Sequence, residues 1–527
     1  MPESAWKFLK KYIKKEWIIC FSAAFLFGIA AHLYKFMNFL PNWDSLVNFH
    51  NNQDTTYLGR CFLHIVCTIS SYYDLSWVNG LLSLTYLSLC AVCISELFSL
   101  KKKGALILTG GLFTTFPSVT STLAYNYTAD GYFTALLCIC LAILLLVKTK
   151  RGFFPASFLI MFSLGIYQAY ITFAILLILF YLLDMLFFQL QDIKTFWKTS
   201  FRCLSGGLLG CILYWLALKL ILLFSGTHLS QYQNVQSAFS LKTFHIVWPA
   251  KQCIHSFLDY FFDFSQGIRL FPVLNILLSF LAVFCLIFII YKEKLFRYPL
   301  QLFLGLLCIA LLPFAAYALY FQSSIDYHNL MVMGNSLFYL FSAVLYERTK
   351  NFAGKILAFR QWSILGLGSV FCFFFILTAN VSYQKMQMAY EKSYAAVLRM
   401  TDRIEQLPEA DSCSTLAVIG GLPGANQASS IDFPPVMTGI TDQYITWGQD
   451  EIISMLQDYF GFSYLPATSA MRSDIEKTSA FKSMPSWPAS GSIAIIHDTL
   501  VIHLPESILN NREDMKNGSL SSEPINN

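Results

Sequence analysis

Charge is what this sequence has least of: Asp, Glu, Lys and Arg make up 13% of its 527 residues, where a soluble domain carries about a quarter. A chain this poor in charge cannot cover a water-facing surface, and with 56% hydrophobic residues its main solvent is lipid. Cysteine chemistry is also missing. Of 14 Cys, most (Cys20, Cys90, Cys93, Cys138, Cys140, Cys203, Cys211, Cys285, Cys308 and Cys372) sit in apolar runs as small hydrophobes. Outside those runs there is no CxxC pair and no His/Cys ligand spacing, so neither a metal site nor a cofactor is expected. Cys413 stands alone in the C-terminal part, which excludes an internal disulfide there. No P-loop, Gly-rich dinucleotide fingerprint, HExxH or GxSxG occurs in a credible context, which disfavours nucleotide chemistry. The net charge of +5 is not a nucleic-acid footprint, because the basic residues before Asn380 lie in short clusters between apolar runs.

What the chain does have is aromatic residues, 17% with 49 Phe and 28 Tyr, a composition suited to helices that meet both lipid and headgroups. About 20 apolar residues span the hydrocarbon, and about eleven stretches qualify on that rule: 17–37, 77–98, 104–124, 128–147, 153–167, 169–188, 203–224, 268–291, 298–320, 330–345 and 356–379. The fifth and sixth form one long apolar run. It is split at Gly165-Ile166-Tyr167-Gln168, since a single helix would put Lys148 and Arg151 on the opposite side from Lys194. The first stretch follows a Lys-rich start, lacks a small-residue cleavage site, and is read as a retained span rather than a signal peptide.

With that split the basic residues fall on one side: before Trp17, at Lys101 to Lys103, Lys148 to Arg151, Lys194 to Arg202, Lys292 to Arg297 and Arg348 to Arg360. The opposite loops hold Arg60, Lys242, Lys251 and Arg269. The positive side is cytoplasmic, so the N-terminus is inside and an odd number of spans exports everything after Asn380. The expected architecture is a polytopic α-helical membrane protein over 1–380, with interfacial helices in 38–76 and 225–266. A small extracytoplasmic α/β domain follows over 381–505, then a disordered tail over 506–527. Strand-like runs start at Ser414, Ser492 and Leu500, the last two joined as a hairpin at Asp498-Thr499. No internal repeat or inverted pair of broken helices is visible, which weighs against a secondary transporter.

Ionisable and polar groups at the outer face are the chemical candidates, because they are costly near lipid. Asp44 can take a proton from an acceptor hydroxyl or cap a short helix at Ser45 to Asn48; Trp43 beside it is a candidate for sugar contact. Arg60 can hold a phosphate bidentately or anchor at the headgroups. Asp130 can bind sugar hydroxyls or favour a helix N-terminus, with Tyr127 nearby as a further sugar contact. Tyr167 and Gln168 break an apolar run at external depth and suit sugar binding or interfacial anchoring. Arg269 and Lys219 are secondary phosphate candidates. His328, in Asp326-Tyr327-His328-Asn329, is a candidate for substrate contact beside the reading of a solvated loop.

Several short motifs, in order, resemble a known family. They are Pro41-Asn42-Trp43-Asp44-Ser45, Gly59-Arg60, Ser76-Trp77-Val78, Thr115-Phe116-Pro117, Thr128-Ala129-Asp130-Gly131-Tyr132 and Gly165-Ile166-Tyr167-Gln168-Ala169-Tyr170. In the tail, Val418-Ile419-Gly420-Gly421, Met484-Pro485, Pro488 and Gly491-Ser492-Ile493 continue the likeness. The set resembles the serotype-converting glucosyltransferase II family of O-antigen modification. That resemblance implies a GT-C type enzyme moving a sugar, glucose in the family, from an undecaprenyl-phosphate carrier to a surface polysaccharide on the outer face of the cytoplasmic membrane. It further implies Asp44 as general base of an inverting displacement, Arg60 at the departing phosphate, and Asp130, Tyr167 and Gln168 in the pocket. A GtrA-like flippase and a carrier-charging glycosyltransferase would be its partners. Stretch 225–346 offers no matching motif, which leaves the acceptor site open. Two other readings share the span pattern. A lipid-linked glycan polymerase or ligase would place basic residues in large late external loops, which here are poor in Arg. A transporter or flippase would place charges at mid-membrane depth, whereas these polar residues gather at one face.

Overall fold

The computed structural model describes residues 12–190, 192–230, 246–264, 270–322, 325–348, 354–422 and 437–505. Two compact units emerge: Met1–Phe39, His50–Val381 and Phe433–Thr438 form the first, and Leu40–Phe49, Ser382–Asp432 and Gly439–Asn527 form the second.

The first unit is helical. Among the described residues, 9 helices are long and apolar enough to cross a membrane: Lys15–Met37, Ser76–Leu97, Lys103–Ala124, Asn126–Lys148, Tyr170–Phe187, Ile193–Ser225, Leu270–Lys292, Pro299–Ala316 and Ala358–Glu405. The other two expected spans appear as Phe153–Leu164 and Ser336–Glu347, 12 residues each. At 1.5 Å per residue these reach about 18 Å, short of about 30 Å of hydrocarbon. The expected count of about eleven thus becomes nine of membrane length and two of roughly half that length. The split at Gly165 to Gln168 is present, one helix ending at Leu164 and the next starting at Tyr170. A second break, not expected, parts Lys103–Thr114 from Pro117–Ala124. Phe116 is pushed to ψ 138 because the ring of Pro117 excludes helical geometry in the residue before it.

Close helix packing here relies on small residues, as lipid supplies little hydrophobic drive between helices. A Cβ on Gly110 would lie 2.6 Å from the backbone N of Ala24, and across the same contact the Thr114 hydroxyl donates to the Ala24 carbonyl at 2.9 Å. By contrast, Ile193–Ser225 turns Leu204, Leu208, Ile212, Leu220 and Leu223 outward, a face that lipid solvates at no cost. Two acidic residues are buried near the basic clusters. The Arg348 guanidinium grips Asp184 through Nε to Oδ1 at 2.8 Å and NH2 to Oδ2 at 2.7 Å, and Glu347 accepts the backbone N–H groups of Lys101 and Lys102 at 3.0 and 2.8 Å.

The second unit is a four-stranded sheet in the order β2-β1-β4-β3. β1 (Thr415–Ile419) runs parallel to β2 (Leu465–Pro466) and to β4 (Thr499–His503), while β3 (Ile493–Ile496) is antiparallel to β4. The β3–β4 turn is His497-Asp498, one residue earlier than expected. Both residues have positive φ, 48 and 58, as a two-residue hairpin turn requires. Ala396, Val397, Met400 and Ile404, from the later part of helix Gly354–Glu405, complete the core with Leu416, Leu500 and Ile502.

A single cut near residue 380 does not reproduce this division. Leu40–Phe49, from the stretch that follows the first long helix, belongs to the second unit: Leu46 is 3% exposed in that core, and helix Trp43–Val47 packs on helix Gln449–Phe460. The expected amphipathic stretch from Gly59 to Tyr73 is broken into Leu63–Cys67 and Thr68–Ser70, with Ser71 and Tyr72 in the left-handed region. In 225–266, helix Val247–Phe262 is seen; residues 231–245, like the tail 506–527, lie outside the described residues.

Candidate functional site

In the first unit Arg60 is the centre of a built cluster. Gly59, at φ +79, gives the backbone the left-handed turn that presents it, and a Cβ there would meet Gln168 Nε2 at 2.6 Å and the Tyr214 hydroxyl at 2.9 Å. Only glycine meets both demands. Gln168 donates to the Leu58 carbonyl at 3.0 Å and to the Tyr214 hydroxyl at 3.1 Å, which in turn donates to the Gly59 carbonyl at 3.0 Å. The loop is also tied by Phe62 N–H to the Gly165 carbonyl at 2.8 Å. On this support the guanidinium donates to the Tyr132 hydroxyl at 2.7 Å. Its carbon lies 5.7 Å from the Tyr132 ring and 5.5 Å from the Tyr167 ring, and the two rings stack at 4.5 Å. Ring faces carry negative potential, so the pair attracts the cation and fixes its position.

His328, far away in sequence, reaches the same neighbourhood. Burial, then the positive charge of Arg60, pushes its pKa down to about 4, so the imidazole is neutral at physiological pH. Asp326, two residues earlier, is exposed, so these sequence neighbours do not share a setting.

A second polar group lies at the start of helix Asn126–Lys148. Asp130 is 1% exposed, and Asn79 donates to its Oδ1 at 3.2 Å. Asn126, on the same helix face one turn earlier, donates to Asp74 Oδ1 at 2.6 Å, and the charge of Asp74 acts on the fully buried Lys35. Asp130 therefore joins a buried network with Asn79 on helix Ser76–Leu97. Tyr127 packs edge-on against Tyr125 at 6.5 Å. Lys219 does not join the Arg60 cluster: it is exposed beside Trp215, while Tyr214 and Leu218 turn inward. Arg269 lies outside the described residues.

Asp44 and Trp43 are in the second unit. The capping role considered for Asp44 falls to Asn42, whose Oδ1 accepts Ser45 N–H at 2.8 Å and the Ser45 hydroxyl at 3.0 Å. Asp44 is thus in the first turn of the helix, its carbonyl accepting from Asn48 Nδ2 at 2.8 Å. The Trp43 ring lies 4.8 Å from that of Trp447.

The residues that sequence reasoning missed are Tyr132, Tyr214, Asp74, Asn79, Asn126 and Lys35. Tyr132 and Asn126 stood in or beside the quoted motifs. Tyr214 and Lys35 were absorbed into apolar runs, where a single polar group was the available signal.

Residues 33–347, more than half of the chain, match the family described as Glucosyl transferase GtrII. No curated protein and no solved structure matches it. With helices of membrane length and this match together, the chain belongs to the GtrII glucosyl transferase family, a family of membrane glycosyltransferases acting with glucose.

Proposed function

We propose that the chain is a GT-C type enzyme that transfers glucose from undecaprenyl-phosphate to a surface polysaccharide at the outer face of the cytoplasmic membrane, with an extracytoplasmic C-terminal domain. In this reading an acceptor hydroxyl attacks the anomeric carbon. Its proton goes to the Asp44 carboxylate, and the bond from that carbon to the phosphate oxygen breaks with its electron pair leaving on the phosphate. Arg60 balances the charge that develops there, so the leaving group needs no acid. Asp130, Tyr167, Gln168 and His328 contribute sugar contacts. A flippase and a carrier-charging glycosyltransferase supply the donor.

The observation that carries the reading is the Arg60 setting: a guanidinium backed by two stacked tyrosines, on a loop pinned by Gln168 and Tyr214. So much support for one cation suits an anionic partner that must be met at a defined place. The test is transfer by the full chain in lipid vesicles, with undecaprenyl-phosphoglucose as donor and purified polysaccharide as acceptor. Asp44→Asn is expected to lower kcat by roughly 10²-fold or more, the scale of a lost general base, with donor binding retained, and Arg60→Ala to weaken donor binding. Wild-type rates in Asp44→Asn would remove the base, and unchanged donor affinity in Arg60→Ala would remove the phosphate role.

A further inference from the structure

The second unit lies largely beyond the residues matched to the family, yet it holds Asp44. A base must hydrogen-bond the hydroxyl it activates, so whatever borders Asp44 borders the acceptor. Its neighbour Trp43 and the distant Trp447 lie 4.8 Å apart with ring planes inclined at 35°. Both indoles are only partly buried, unlike Trp487 of the same unit, which is 6% exposed. Both are also fixed in place. Trp447 Nε1 donates to Glu451 Oε1 at 3.0 Å, and Glu451 is 6% exposed in the first turn of helix Gln449–Phe460, where the helix end favours its charge. Gly448 makes room for that carboxylate, since a Cβ there would lie 3.0 Å from Glu451 Oε2. On the other side Trp43 is fixed by the Asn42 cap behind it and by buried Leu46 ahead.

Two rigid indoles, inclined and partly open to water, match the chemistry of a pyranose. One face of such a ring presents C–H groups that rest on the negative face of an aromatic ring, while its hydroxyls need acceptors, a part the Asp44 carboxylate can take. We propose that Trp43 and Trp447 form the subsite for the acceptor polysaccharide, with Glu451 as the residue that positions Trp447. The assignment rests on the transferase reading above. It commits to the acceptor over the donor because Trp43 directly precedes the proposed base in the first turn of the same short helix.

The test uses the full chain in vesicles at saturating undecaprenyl-phosphoglucose, with polysaccharide purified from cells lacking this protein as the varied substrate. Trp447→Ala is expected to raise the acceptor KM about tenfold, the scale of a lost aromatic contact, with donor KM unchanged. Trp447→Phe should recover most of the loss. Glu451→Gln, which keeps an acceptor for Nε1, should stay near wild type, and Glu451→Ala should behave as Trp447→Ala. An unchanged acceptor KM in Trp447→Ala, or acceptor and donor KM rising together, overturns the subsite. If the wild-type chain transfers nothing, it is the transferase reading that fails. Tryptophan fluorescence titrated with the same polysaccharide, which needs no turnover, then decides the subsite alone: saturable quenching weakened in Trp447→Ala upholds it, and no quenching ends it.

Discussion

His328 shows how one residue reports its surroundings. In an unfolded chain an imidazole titrates near 6.5; here burial and Arg60 hold it at about 4. The folded state therefore binds fewer protons than the unfolded one between those values. His328 contributes stability in full above about pH 6.5, and that contribution declines as pH falls towards about 4. The thermal midpoint in detergent should accordingly drop less steeply with acid in His328→Gln than in wild type over that window. Equal slopes would mean that His328 is not held neutral. Neutral near pH 7, the same residue has no ring proton acidic enough to act as a general acid there.

Among the helices, the expected spans differ from the observed ones where backbone chemistry intervenes. Pro117 interrupts the third apolar stretch, and Phe153–Leu164 and Ser336–Glu347 stop after 12 residues. Arg348 follows the second of these and ties it to helix Tyr170–Phe187 through Asp184. That carboxylate is fully buried and the guanidinium is 19% exposed. Losing one partner strands a buried charge, which costs about 3–5 kcal/mol. Arg348→Ala should therefore lower the thermal midpoint clearly, and the double variant Arg348→Met with Asp184→Leu should recover much of the loss. If Arg348→Ala melts like wild type, the pair does not tie these helices together.

At the scale of the whole molecule, basic clusters on alternate loops predict the C-terminal unit outside the cytoplasm. Alkaline phosphatase fused after residue 505 should be active and a fluorescent protein fused there should be dark; the reverse result would invert the topology and remove the outer-face reaction. Membrane class, the split near Gly165 and the strands at Thr415, Ile493 and Thr499 were all legible in the sequence, because each depends on local properties: length of an apolar run, turn residues or alternation. What the residues could not disclose is who meets whom. Tyr132, Tyr167 and His328 converge on Arg60, and Leu40–Phe49 joins the second unit. Contacts between residues so far apart leave no periodicity along the chain. They are decided by which apolar faces bury together, as Leu46 does when its burial brings Trp43 to Trp447.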